Sequence, residues 1–238
     1  FRRSGIESRF YKSTESSFFD LAIKSVNRLL EKTGVLASQI SVLICASSTF
    51  DKNAPSLACR LMNSIDKEGT NQDCFAVDIN SACTGYIYAM SMAVDKLRAN
   101  AGKDEKKYAM VVTNEVFSDY LGNSPTSDIL FGDASSATLI EIASQEQENW
   151  CSIIHSFHQG SVRDPKNSIV IYNESGTGKM TMDGLAVYDN AVKTISRSIR
   201  ETANIHHLDL SDIDQFILHQ ANKKIVDTVC RKLELDSN

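Results

Sequence analysis

A chain of 238 residues with 42% hydrophobic and 23% charged side chains can bury a sizeable core without a disulfide or metal staple. Its 30 acidic residues against 25 basic ones leave a net charge of −5, which argues against a nucleic-acid binder, a class that carries a basic excess. The six cysteines, at 45, 59, 74, 83, 151 and 230, form no Cys-x-x-Cys pair, so no metal site is expected and free thiols point to a reducing cytoplasm.

The opening, Phe1-Arg2-Arg3-Ser4-Gly5, holds no apolar run and already reads as the middle of a domain, which suggests a fragment without a signal peptide. No stretch of about 18 apolar residues follows, so no membrane span is expected. Residues 18–33 place apolar side chains at 18, 19, 22, 23, 26, 29 and 30, the spacing of an amphipathic helix, with Gly34 as its stop. Ile40–Ala46 is a continuous apolar run, the pattern of a parallel strand buried on both faces. Pro55–Ser64 reads as a helix, Cys74–Ile79 as a second buried strand, and Thr84–Arg98 as a helix with small and aromatic residues on its inner face. Tyr108–Asn114 is a third buried strand, Ser118–Asp128 a turn-rich loop and Ala137–Ile142 a fourth strand.

A second half is expected to begin near Trp150. In it Ser152–Phe157 reads as a strand, Val162–Asn173 as a loop-rich excursion, and Gly184–Ala203 as a long amphipathic helix. Phe216–Leu218 reads as a short strand that enters a helix at about Asn222. Strands alternating with helices imply an α/β fold with a mainly parallel sheet.

Two places carry chemistry. Along Asp78-Ile79-Asn80-Ser81-Ala82-Cys83-Thr84-Gly85-Tyr86 a strand ends, small residues turn, and a cysteine stands where a helix begins. The unpaired amides of a helix start stabilise a thiolate, so Cys83 suits a nucleophile; a small buried hydrophobe is the blander reading of the same position. Along Phe216-Ile217-Leu218-His219-Gln220-Ala221-Asn222, a histidine at a strand end with an asparagine three residues on can aim two polar heads at one pocket. A neutral imidazole there donates to an oxyanion or moves a proton; otherwise it is a core histidine satisfied by backbone.

Taken together these segments resemble the β-ketoacyl-ACP synthase III family. Arg3-Ser4-Gly5-Ile6 is similar to the family's opening Arg-Thr-Gly-Ile, Val77–Gly85 to its cysteine motif, Phe131-Gly132-Asp133 to its Phe-Gly-Asp segment, Met182-Asp183-Gly184 to its helix entry, and His219–Asn222 to its His-Gln-Ala-Asn motif. The resemblance implies a thiolase-like α/β fold of two related βαβ halves layered α/β/α/β/α. Residues 1–146 would form the half with the cysteine motif, and 147–238 the incomplete start of the half with His219.

It further implies a two-stage reaction. Cys83 takes an acyl group from a CoA or carrier-protein thioester, and malonyl on acyl carrier protein then loses CO2 and attacks the acyl-enzyme. By the same resemblance His219 stabilises the enolate, Asn222 supports the pantetheine arm, and Arg3 meets the nucleotide end of CoA. Gln220, Ala221, Asn222, Lys223 and Lys224 would face an acidic acyl carrier protein. A homodimer is expected, and no cofactor beyond the thioester substrates.

Three features set the chain apart from the family pattern. The family's second catalytic asparagine and its glycine-rich C-terminal turn lie past residue 238, and its first strand before residue 1. Ser124–Asp128 holds no basic residue where CoA-binding members often carry an arginine before Phe-Gly-Asp, which leaves room for a carrier-bound donor. A non-decarboxylating acyltransferase acting on an alcohol or amine, and a silent subunit of a heterodimeric synthase, are the alternatives. Gly176-Thr177-Gly178-Lys179 fails as a phosphate loop, because Met180 replaces the residue that would hold magnesium.

Overall fold

The computed structural model describes residues 4–100, 108–122, 128–142, 152–174 and 177–235. Arg3, residues 123–127, Trp150, Cys151 and Gly176 therefore lie outside the described residues. The chain divides into two compact units. One comprises Phe10–Phe117 and Gly132–Phe157; the other comprises Phe1–Arg9, Ser118–Phe131 and His158–Asn238.

The first unit is built on a sheet of four strands: β1 (Ile40–Ala46), β2 (Phe75–Ile79), β3 (Tyr108–Val116) and β4 (Asp133–Glu141). Their spatial order is β2-β1-β3-β4, with β1 parallel to both neighbours and β4 antiparallel to β3. Every residue of β1 is buried, as its mostly apolar run requires of a central strand covered on both faces, and its one polar side chain, Ser41, donates to the Tyr108 carbonyl at 3.2 Å. Ile40, Leu43 and Cys45 face α1 (Phe18–Thr33) and α2 (Leu57–Ile65). Val42, Ile44 and Ala46 face Ala89, Ala93 and Leu97 of α3 (Gly85–Ala99).

The helices begin and end where local chemistry dictates. Ser17 and Asp20 form a reciprocal capping box at the start of α1, and Gly34 closes it in the left-handed region at φ 69° with its amide on the Leu30 carbonyl. Helix α2 starts two residues later than the pattern suggests, because Ser56 caps it by accepting from the Cys59 amide. A second acceptor reaches the same end: the Asp78 carboxylate on β2 takes the Leu57 and Ala58 amides at 2.6 and 2.8 Å. Asp78→Ala is expected to strand both donors and cost about 2 kcal/mol. Urea unfolding checks this, through a lower midpoint with an unchanged slope.

Strand β4 begins at Asp133, four residues before the apolar pattern starts. Polar side chains extend it: Ser135 bonds Ser25 Oγ and the Thr113 carbonyl, and Ser136 bonds Thr113 Oγ1 at 2.8 Å. These serines occupy positions where hydroxyl pairs replace apolar packing.

The second unit holds the antiparallel hairpin β5 (Ile169–Glu174) and β6 (Thr177–Met182), then α4 (Gly184–Ile205) and α5 (Lys223–Leu233). Asp183 caps α4 by accepting from the Leu185 and Ala186 amides. Ile225, Val229 and Leu233 of α5 pack against Tyr188, Val192, Ile195 and Ile199 of α4, and Tyr188 and Thr228 share a 2.8 Å hydroxyl contact.

Three expectations are corrected here. Val162–Asn173 is not wholly loop, since β5 occupies its second part. Ser152–Phe157 and Phe216–Leu218 are extended but are not strands. In each an inward apolar residue is anchored, Ile154 in the α3-side core and Leu218 beneath α5. A strand also needs a ladder partner, and among the described residues neither segment has one.

Candidate functional site

Strands β1, β2 and β3 run parallel, so their carboxyl ends open on one edge of the sheet, the edge where α/β folds place ligands. Cys83 stands on this edge, in the single 3-10 turn Ala82–Thr84 between β2 and α3. The turn is tightly made. The Thr84 amide and hydroxyl both donate to the Ser81 carbonyl, at 3.1 and 2.8 Å, and the Ala82 amide donates to Asn80 Oδ1 at 3.3 Å. Ala82 lies at φ 45°, a left-handed conformation costly for a residue with a Cβ and concentrated at functional sites. Gly85 is needed for closeness: a Cβ there would stand 3.2 Å from the Ala46 Cβ of β1.

Cys83 reaches solvent, yet the protein packed around its sulfur pushes the thiol above its ordinary range. Its own backbone amide pulls the other way, and the Glu115 carboxylate adds a further upward push. This differs from the expectation of a thiolate favoured by a helix start. Desolvation and a nearby negative charge outweigh the amides here. Cys45 is fully buried on β1, where desolvation holds its thiol well above the ordinary value, as befits an inert core residue.

The second unit carries His219, Gln220, Ala221, Asn222, Lys223 and Lys224. His219 ends an extended segment and is exposed, while the protein against its ring lowers its pKa, so the imidazole is neutral near pH 7. Asn222 is the N-cap of α5, its Oδ1 accepting from the Ile225 amide at 3.1 Å. That use leaves its Nδ2 as the group able to meet a ligand. Lys223 and Lys224 are exposed on the first turn, Lys223 paired with Asp227 at 3.2 Å. Arg3 lies outside the described residues, but its neighbours are placed. The Ser4 carbonyl accepts from the Lys223 amide at 2.9 Å.

This contact joins two motifs that lie at opposite ends of the chain. Gly5 lies at φ 74°, and a Cβ there would fall 2.6 Å from the Lys223 Cβ. Glycine is required twice over, by backbone conformation and by space. Gly5→Ala is expected to push the first turn of α5 away and to slow any step using His219 about 10-fold or more, while loading of Cys83 stays near normal. Separate assays of the two half-reactions check it. An open groove of about 1120 Å³ lies beside this contact, lined by Ser4–Arg9, the segment leading to His219 and α5; His219 itself does not line it.

Sequence reasoning alone missed the left-handed Ala82, the docking of Gly5 on Lys223, and Glu115 beneath the Cys83 turn. Only the glycine in Arg3-Ser4-Gly5-Ile6 offered a signal.

Comparison with known proteins identifies the family and the fold. The family profile described as 3-oxoacyl-[acyl-carrier-protein (ACP)] synthase III matches residues 77–159, which include Cys83 and Glu115. A β-ketoacyl-[acyl-carrier-protein] synthase III of Streptococcus sanguinis is 34% identical over 97% of this chain and 70% of its own length. That of Thioalkalivibrio sulfidiphilus is 32% identical over 98% of this chain and 71% of its own. The solved β-ketoacyl-[acyl carrier protein] synthase III of Thermus thermophilus shares the thiolase-like fold, with a TM-score of 0.80 and 26% identity over 99% of this chain and 72% of that one. A cysteine-bearing turn at the edge of a parallel sheet, the histidine segment on its capped helix and identity at this level lead to one conclusion: the chain belongs to the β-ketoacyl-[acyl-carrier-protein] synthase III family.

Proposed function

We propose that the protein transfers an acyl group to Cys83 and then condenses it with malonyl-ACP, releasing CO2 and a 3-oxoacyl thioester. The observation that carries this reading is Cys83 on its strained turn at the carboxyl edge of the sheet, in a chain of this family. Attack by the sulfur on a donor thioester forms the Cys83 thioester and expels the donor thiol, which takes up the proton. Loss of CO2 from the malonyl group leaves an enolate whose carbon attacks the acyl carbonyl of the Cys83 thioester; the C–S bond breaks, and the departing thiolate takes up a proton from solvent to return the thiol. Covalent catalysis thus replaces one difficult step by two.

His219 supports the second stage. A neutral imidazole offers one N–H to the enolate oxygen as its negative charge develops. Asn222 Nδ2 and Arg3 are assigned to the pantetheine arm and the nucleotide end of a CoA donor. The exposed first turn of α5, with Gln220, Ala221, Asn222, Lys223 and Lys224, is assigned to the acidic carrier protein. Coenzyme A and phosphopantetheine enter as substrate thioesters, and we assign the working protein to a homodimer in the cytoplasm.

The test mixes the full-length protein with a panel of acyl-CoAs and acyl carrier proteins and reads its intact mass. Malonyl-ACP is then added and CO2 and the 3-oxoacyl product are measured. Loading followed by both products supports the proposal. Loading without CO2 release favours plain transfer to an alcohol or amine, and no loading with any donor favours a silent subunit.

A further inference from the structure

Glu115 is a half-buried carboxylate on β3 that the two-stage reaction does not use. Among the described residues it faces no cation, and its partners come from one short segment, the loop leaving the carboxyl end of β1. The Ser48 amide donates to it at 2.8 Å, the Thr49 hydroxyl at 2.7 Å and the Ser47 hydroxyl at 3.4 Å. Thr49 Oγ1 in turn accepts the Val116 amide at 2.9 Å, so β3 and the loop clasp each other from both sides.

The loop is also tied to the cysteine turn. The Ser47 amide donates to the Ile79 carbonyl at 3.2 Å, and the Ser48 hydroxyl to Asn80 Oδ1 at 3.4 Å. Asn80 Oδ1 also accepts the amide of Ala82, the left-handed residue immediately before Cys83. An unbroken series of contacts therefore runs from Glu115 through Ser48 and Asn80 to the backbone that sets where the sulfur stands.

We propose that Glu115 is a positioning residue for Cys83: its carboxylate gathers the Ser47–Thr49 loop and, through Ser48 and Asn80, holds the Ala82 backbone in the turn that presents the thiol. The assignment rests on the reading of Cys83 as the acyl acceptor. Electrostatics supports it. Burial raises the Glu115 pKa, its three hydroxyl and amide partners lower it, and its negative charge acts on Cys83. Of the other carboxylates near this edge, Asp78 on β2 faces Cys45 and the first amides of α2, and Asp133, opposite Val116 at the start of β4, accepts from the Lys12 amide at 2.8 Å. Among the described residues, the groups hydrogen-bonded to Glu115 are the uncharged Ser47, Ser48 and Thr49.

Two readouts on the full-length protein test the proposal. The rate of Cys83 alkylation by iodoacetamide is followed against pH by peptide mass, and acyl loading is timed with a donor that loads the wild type. Glu115→Gln removes the charge that disfavours the thiolate, so the alkylation midpoint is expected to move to lower pH. Loading is expected to slow about 10-fold or more as the turn loses its anchor. Glu115→Asp keeps the charge and is expected to keep the wild-type midpoint. Ser48→Ala, which breaks the relay and leaves the charge, is expected to slow loading without lowering the midpoint.

An unshifted midpoint and normal loading in Glu115→Gln would overturn the proposal. So would a midpoint in Glu115→Asp lowered as far as in Glu115→Gln, since a merely loosened turn would do the same. Alkylation reads the coupling whether or not any donor loads the thiol. Wild-type protein that alkylates with the expected dependence on Glu115 but never loads would therefore count against the acyl-acceptor reading alone.

Discussion

Cys83→Ala is expected to abolish acyl loading, with turnover falling on the order of 10⁴-fold or more, the scale on which removal of a covalent nucleophile is felt. The variant should fold. Cys83 is solvent-exposed and sits outside the three apolar clusters, so unfolding free energy should change by no more than about 0.5 kcal/mol. Intact mass with each donor, alongside a melting curve, separates loss of the nucleophile from loss of the fold. A mass gain persisting in the variant would place the acyl group on another side chain.

The pH dependence of loading follows from the same environment. Packing around the sulfur and the Glu115 charge raise the thiol pKa, so at neutral pH the thiol is the main form. Below that pKa the thiolate fraction grows about tenfold per pH unit. Wild-type loading at subsaturating donor should therefore climb steadily from pH 6 to 8 and show no plateau there, which a single-turnover mass time course measures.

His219→Ala should separate the two stages. Loading at Cys83 is expected to survive, because the role proposed for His219 begins only when the enolate forms in the second stage. Decarboxylation of malonyl-ACP by the loaded enzyme should fall about 10²- to 10³-fold, the usual loss when one oxyanion donor is removed. CO2 release from pre-acylated protein reads this directly. Burial lowers the His219 pKa below the ordinary histidine value, so the imidazole stays neutral as pH falls through that value. The decarboxylation rate should hold level down to about pH 6.5 and decline only where the ring takes a second proton. Equal losses of loading and decarboxylation in His219→Ala would assign the residue to the first stage instead.

Much of the first unit was legible in the order of residues. Ile40–Ala46 reads as a strand covered on both faces, because six of its seven residues are apolar and the one exception, Ser41, is small. The Phe18–Thr33 helix, its capped start and its glycine stop are local properties, written in neighbouring residues. The cysteine motif likewise stands at a strand-to-helix junction, and a junction is a short-range feature.

What the sequence by itself determined, then, is the α/β class, the first-unit elements and the two segments that hold Cys83 and His219. Tertiary structure decided the rest, for reasons of partnership. Phe216–Leu218 and Ser152–Phe157 have strand-like composition, yet a strand exists only where another offers a ladder. The Cys83 thiol is raised first by the protein packed around it and then by Glu115, more than thirty residues on along the chain but brought to the same sheet edge. Gly5 is required because Lys223, from the far end of the chain, packs where its side chain would be. A residue's neighbours along the chain set its local conformation; the charge it feels and the space it is allowed are set by neighbours that only folding supplies.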